Sequence, residues 1–141
     1  MITYHKEGTT FEIKSKRILS RWIGEVVAAE TNGEKRVGDI SVILCSDEYL
    51  LSVNRQFLNH DYYTDIITFD YCEGSNISGD LFISIDTVKE NAVTYEAGFP
   101  QELHRVLIHG VLHLIGYNDH SEEEKRVMKE REEISLQRLT I

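Results

Sequence analysis

His109, His113 and His120 fall inside one short stretch, His109-Gly110-Val111-Leu112-His113-Leu114-Ile115-Gly116-Tyr117-Asn118-Asp119-His120. On an α-helix, residues four apart differ by about 40° around the axis and about 6 Å along it, so His109 and His113 project side by side. Two imidazoles so placed can grip one metal ion. A third ligand has to come from beyond the helix, and Gly116 lets the chain turn so that Asp119 or His120 folds back over the pair. Three protein ligands with a fourth position left to water is the arrangement of catalytic zinc, whereas structural zinc is usually closed by four. His104 lies about 140° around such a helix from His109 and reads as a surface or core histidine; His5 and His60 have no comparable company. The metalloprotease pattern H-E-x-x-H places its general base directly after the first His, where this chain has Gly110, and that disfavours a zincin protease.

These residues need a scaffold. Helical spacing of Ile18, Leu19, Trp22, Ile23, Val26 and Val27 predicts a first helix over about 15–31, with Ser15 as N-cap and Gly33 ending it. The run Ile40 to Cys45 is apolar and β-branched, which favours a strand. A short helix is expected from Asp47 to Phe57, then strands at Asp65 to Asp70 and Asp80 to Ile85, separated by the turn-rich Glu73-Gly74-Ser75-Asn76. Asp86 is positioned to cap a helix running to about Glu96. Pro100 suits the first turn of the helix that carries the histidines, and Gly116 breaks that helix. Ser121 and Glu124 form a capping-box pattern opening a last, charged helix. The expected fold is α+β: a single small domain over residues 1–141, with one mostly four-stranded mixed sheet packed with about five helices.

Composition narrows the classes. No apolar run approaches the ~18 residues that span a bilayer, and the first residues lack a basic region followed by an apolar stretch, so a cytoplasmic protein with no membrane partner is expected. Cys45 and Cys72 are far apart and outside any C-x-x-C arrangement, which argues against a disulfide framework or a thiolate zinc site. The formal net charge of −9 argues against generic nucleic-acid binding, which calls for a basic surface, although much of the acid is concentrated between Glu122 and Glu133. Lys14, Arg17 and Arg21 recur at i, i+3 and i+7 as a cationic stripe that reads as solvated surface or, less often, an RNA contact.

The wider pattern resembles the YbeY family of rRNA maturation factors. Its H-G-x-L-H-L-x-G-Y-D-H is matched from His109 through Tyr117; Asn54, Phe57 and Thr64-Asp65-Ile66-Ile67-Thr68-Phe69 resemble its N-x-x-[YF]-R…T-D-V-L-S-F stretch, and Gly79-Asp80-Leu81-Phe82-Ile83-Ser84 its G-D-I-x-I-S strand. Glu102 matches an acidic residue seven positions before the first histidine and reads either as a partner of His109 or as a carboxylate favoured by the helix N-terminus. The resemblance implies a metal-dependent single-strand endoribonuclease acting on precursor 16S rRNA. Implied partners are RNA, the small ribosomal subunit, ribosomal proteins and an assembly GTPase.

Two departures bear on the site. Where the family has an arginine after the Phe57 position, this chain has Leu58; Arg55 or, with better geometry, Arg105 one turn before His109 is the candidate replacement cation. One extra residue also precedes the closing histidine. A loop absorbs an insertion more readily than a helix does, so the expected ligands of one zinc ion are His109, His113 and His120, with Asp119 as a neighbour that orients an imidazole or a water. Arg105 and Asp119 are then the candidate catalytic residues, and Asp65 reads either as a further carboxyl that moves protons or as a residue that caps or hydrogen-bonds a turn. All-imidazole ligation leaves the ion's charge uncompensated and brings the pKa of bound water to roughly 7. Two other readings are a ribosome-assembly binding factor with a structural metal, and a small-molecule metallohydrolase.

Overall fold

A computed structural model describes residues 1–141. Nine elements follow one another: β1 (Ile2–Glu7), α1 (Lys16–Glu30), β2 (Arg36–Cys45), α2 (Asp47–Leu58), β3 (Ile66–Asp70), β4 (Asn76–Ser84), α3 (Ile85–Thr94), α4 (Phe99–Ile115) and α5 (Glu122–Gln137). The strands form one mixed sheet in the order β1-β2-β4-β3, in which β1, β2 and β4 are parallel and β3 runs antiparallel to β4. A four-stranded mixed sheet packed with five helices is the α+β domain expected from the sequence.

The inner strands are apolar because helices cover them. Ile40, Val42 and Leu44 of β2 and Ile77, Leu81 and Ile83 of β4 are buried and share one core with Leu19, Trp22, Ile23, Val26 and Val27 of α1. Helix α4 enters the same core with Leu103, Val106, Leu107, Val111, Leu112 and Leu114, so the histidine-bearing helix is the best anchored helix of the molecule. Its approach to the sheet is close at Gly110, where an added Cβ would lie 2.7 Å from Ile66 Cδ1 and 3.0 Å from Leu81 Cδ2. The position at which a zincin carries its general base therefore faces the sheet here and holds no side chain.

Several local expectations change. Strand β1 was not legible: Ile2–Glu7 is an edge strand whose second half is exposed, so its apolar alternation is weak. Ser15 stands at the start of α1 but takes a left-handed conformation (φ 61°) and makes no side-chain cap. Asp86 does not cap α3. The hydroxyl of Ser84, the last residue of β4, accepts the Thr87 N–H instead, and the Asp86 carboxylate accepts the N–H of Asp47 at the start of α2. The strand passes straight into the helix, which moves the cap two residues upstream.

Candidate metal centre

Helix α4 ends at Gly116, whose φ of 126° is costly for a residue with a Cβ. The Gly116 and Tyr117 N–H groups donate back to the last-turn carbonyls, including that of Leu112. The returning loop is tied down on both sides. Tyr117 donates its hydroxyl to Glu30 at 2.8 Å, and Arg131 of α5 donates to the other oxygen of the same buried carboxylate at 2.9 Å. At the far side Ser121 and Glu124 form the expected capping box, and Glu124 also accepts the His120 backbone N–H at 3.2 Å.

Between these anchors Asp119 turns inward. Its Oδ2 lies 3.3 Å from Nε2 of His109 and 3.3 Å from Nε2 of His113, and the two imidazole nitrogens are 3.0 Å apart. The structure thus departs from the sequence expectation at the third position: Asp119, not His120, is brought to the pair, while His120 is exposed and outside the cluster. The physical reason is the capping box, which fixes residues 120–121 as the solvent-facing lead-in to α5. Ligand atoms about 2.0–2.2 Å from one tetrahedral ion stand about 3.3 Å apart, so the three observed separations suit one face of such a tetrahedron.

Behind the cluster is a buried acid–base chain. Glu132 of α5 accepts from His109 Nδ1 at 2.5 Å, which makes Nδ1 the protonated nitrogen and leaves the Nε2 lone pair facing Asp119 and His113. Arg105 holds Glu132 at 3.2 Å and grips Glu102 with two donors, at 2.9 and 2.5 Å; both carboxylates are buried. Burial works against charging His109, but the hydrogen bond and charge of Glu132, followed by Asp119 and Asp65, outweigh it and raise the imidazole pKa. The Arg105 guanidinium is held charged first by its hydrogen bonds to Glu102. Asp65 is pushed above the usual carboxylate range by burial, which the nearby charges of His109 and Arg105 only partly offset, and its Oδ2 accepts from Asn91 at 3.4 Å.

The expected site residues therefore separate. His109, His113 and Asp119 come together. Arg105 is close by, yet its charge is engaged by two carboxylates rather than free for a phosphate, and Glu102 pairs with Arg105 and not with His109. Arg55, the other candidate cation, pairs with Asp61, and Leu58 ends α2 as a partly exposed apolar residue. Arg17 and Arg21 are exposed on α1, with Lys14 just before it, and none of them lines the site. His104 is half-buried, edge-on to Trp22 at 6.3 Å, as an ordinary packed histidine. Sequence reasoning missed Glu132, although a signal existed: it lies four residues after Met128 and three before Ser135, and these three are the buried positions of α5. Beside the cluster opens a cleft of about 520 Å³ whose walls include His109, Asp119, Arg105, Tyr95 and the lysines of α5.

The family model described as Endoribonuclease YbeY matches residues 2–140. Relatives carrying the name Endoribonuclease YbeY include one from Parabacteroides distasonis, 55% identical with 96% of this chain and 93% of that protein covered, and one from Phocaeicola vulgatus, 54% identical with 96% of each covered. Among solved structures, the solution structure of TM1509 from Thermotoga maritima matches with a TM-score of 0.67 and 29% identity, covering 99% of this chain and 89% of that one. With the family model spanning nearly the whole chain and relatives above half identity, this protein belongs to the Endoribonuclease YbeY family.

Proposed function

We propose that this chain is a metal-dependent endoribonuclease that cuts single-stranded segments of precursor rRNA during small-subunit maturation, with one zinc ion held by His109, His113 and Asp119. The observation that carries the reading is the three-atom cluster of two imidazole nitrogens and one carboxylate oxygen, with Glu132 behind His109 and an open cleft beside it. Two nitrogens and one oxygen suit zinc among the common divalent ions, and three protein ligands leave a position for water or a phosphoryl oxygen. When bound, such an ion supplies Lewis acidity and lowers the pKa of water. A carboxylate in the set offsets part of its charge, so the water is less acidified than three imidazoles would make it.

The chain's own residues do the rest. Glu132 fixes the His109 tautomer, and Arg105 holds Glu132 and Glu102 in place by hydrogen bonds, which makes it a positioning residue. Asp65, partly buried and within electrostatic reach of His109 and Arg105, holds a proton to higher pH than an exposed carboxyl and is the candidate to return it to a leaving oxygen. The working partners in this reading are rRNA, the small subunit with its proteins and an assembly GTPase, in the cytoplasm; no helix is long and apolar enough to cross a membrane.

The test is cleavage of a single-stranded RNA oligonucleotide by metal-loaded and chelated protein, with His113→Ala as control. Fragments are expected only from the loaded parent, and His113→Ala should lose at least about a hundredfold in rate. Equal cleavage by parent and His113→Ala would reject the reading.

A further inference from the structure

A protein of net charge −9 that acts on RNA must gather its phosphate contacts locally. Most cations near the metal centre are already engaged. In α5, Arg126 is bound by Glu123 and Glu130, and Arg131 by Glu30. Lys129 has no ionic partner, and Lys125 has only Glu122 at 3.7 Å, a carboxylate almost wholly in solvent that holds it weakly. These two lysines are four residues apart, so they lie on one face about 6 Å apart along the axis, and that face lines the cleft that also exposes His109 and Asp119.

The same cleft carries an aromatic ring. Tyr95, just after α3, is 62% exposed and its hydroxyl has no hydrogen-bond partner. Leu136 and Ala97 add apolar surface to the same lining, while Met128 is almost fully buried in the core. The volume of about 520 Å³ is in the range of small-molecule sites and too small for a duplex. A ring face, apolar surface and two exposed ammonium groups beside a candidate metal centre have the chemistry to hold a single nucleotide: a base stacks, and its phosphates meet the lysines. Charge also links the cleft to the ion. The lining sets four carboxylates (Glu102, Asp119, Glu132 and Glu133) against three cations (Arg105, Lys125 and Lys129), and a bound divalent ion turns that balance positive.

We propose that this cleft is a nucleotide subsite that seats the unpaired nucleotide next to the scissile phosphate, with its base against Tyr95 and Leu136 and its phosphates on Lys125 and Lys129. The inference rests on the ribonuclease reading of the metal centre and adds to it the means by which an acidic protein selects single-stranded RNA. The residues named are positioning residues for substrate.

The experiment uses the metal-loaded full chain and a fluorescent single-stranded RNA oligonucleotide, reading binding by anisotropy and cleavage by fragment yield over a range of salt. The Lys125→Gln/Lys129→Gln variant should weaken RNA binding and raise KM about tenfold at moderate salt. The slope of log affinity against log salt should become shallower by about 1–2, with metal content unchanged. Tyr95→Leu should raise KM about fivefold or more, Tyr95→Phe should restore the parent value, and replacing the flanking nucleotide by an abasic one should cost the parent but not Tyr95→Leu. Unchanged KM and salt slope in the double lysine variant, or an abasic penalty equal in parent and Tyr95→Leu, would overturn the subsite while cleavage by the parent still upheld the ribonuclease. If the parent binds RNA but does not cut it, the ribonuclease reading fails and the anisotropy arm alone decides the subsite.

Discussion

His109 uses its two nitrogens for opposite duties, Nδ1 as donor to Glu132 and Nε2 as a lone pair toward Asp119 and His113. Its pKa is raised above the ordinary 6.5, so in the metal-free protein the pairing with Glu132 and Asp119 contributes stability that is fully present below about pH 6.5 and is lost as pH rises through the folded value. Metal uptake runs the other way, because the ion must displace that proton. On lowering the pH, metal affinity should begin to fall while still above pH 6.5. Glu132→Gln should move the fall to lower pH and weaken affinity at neutral pH about 10–100-fold. Competition with a chelator over a pH series measures both, and a profile unmoved by Glu132→Gln would show that the carboxylate does not govern the imidazole. At this scale the sequence was half legible. The one-turn spacing of His109 and His113 is written in the residue numbers, but which of two adjacent residues completes the set depends on loop direction, and the extra residue before His120 hid that. Glu132 was obscured because it stands 23 residues from its partner among exposed glutamates.

Helix α4 is held by what it buries, and its contact with the sheet is set by the missing side chain at Gly110. Gly110→Val would press a branched side chain onto Ile66 and Leu81, an overpacking that costs about 1–3 kcal/mol and tilts both histidines away from Asp119. Thermal melting with and without metal should show a lower Tm in both states and a smaller metal-induced rise; an unchanged rise would mean that the centre tolerates helix displacement. Most helices were readable because capping and 3.6-residue periodicity are local: the capping box of Ser121 and Glu124, the proline in the first turn of α4 and the glycine at its end all sit as expected. What failed were features set by tertiary neighbours. Edge strand β1 exists because it pairs with β2, and Asp86 serves α2 because α2 begins beside it.

Across the whole molecule, the centre joins three parts of the chain that the core places together: the end of α4, the loop after it and the far half of α5. Sheet and helices could be inferred from patterns of apolar residues, and the family resemblance from the motifs of β3, β4 and α4, because both are carried by short segments. The cleft between α5 and the residues after α3 could not, since Tyr95 and Lys129 line one cleft only once α3 and α5 have both packed against α4. The charge of −9 likewise describes the surface as a whole and not this cleft. The most direct measurement is a zinc titration of chelated protein in which metal occupancy and cleavage of single-stranded RNA are followed together in the parent, Asp119→Asn and His120→Ala. The parent and His120→Ala should gain activity in step with the binding of one ion per chain, while Asp119→Asn should lose metal affinity and activity together. Cleavage by the fully chelated parent, or loss of metal in His120→Ala with Asp119→Asn unaffected, would contradict a ribonuclease centre built on His109, His113 and Asp119.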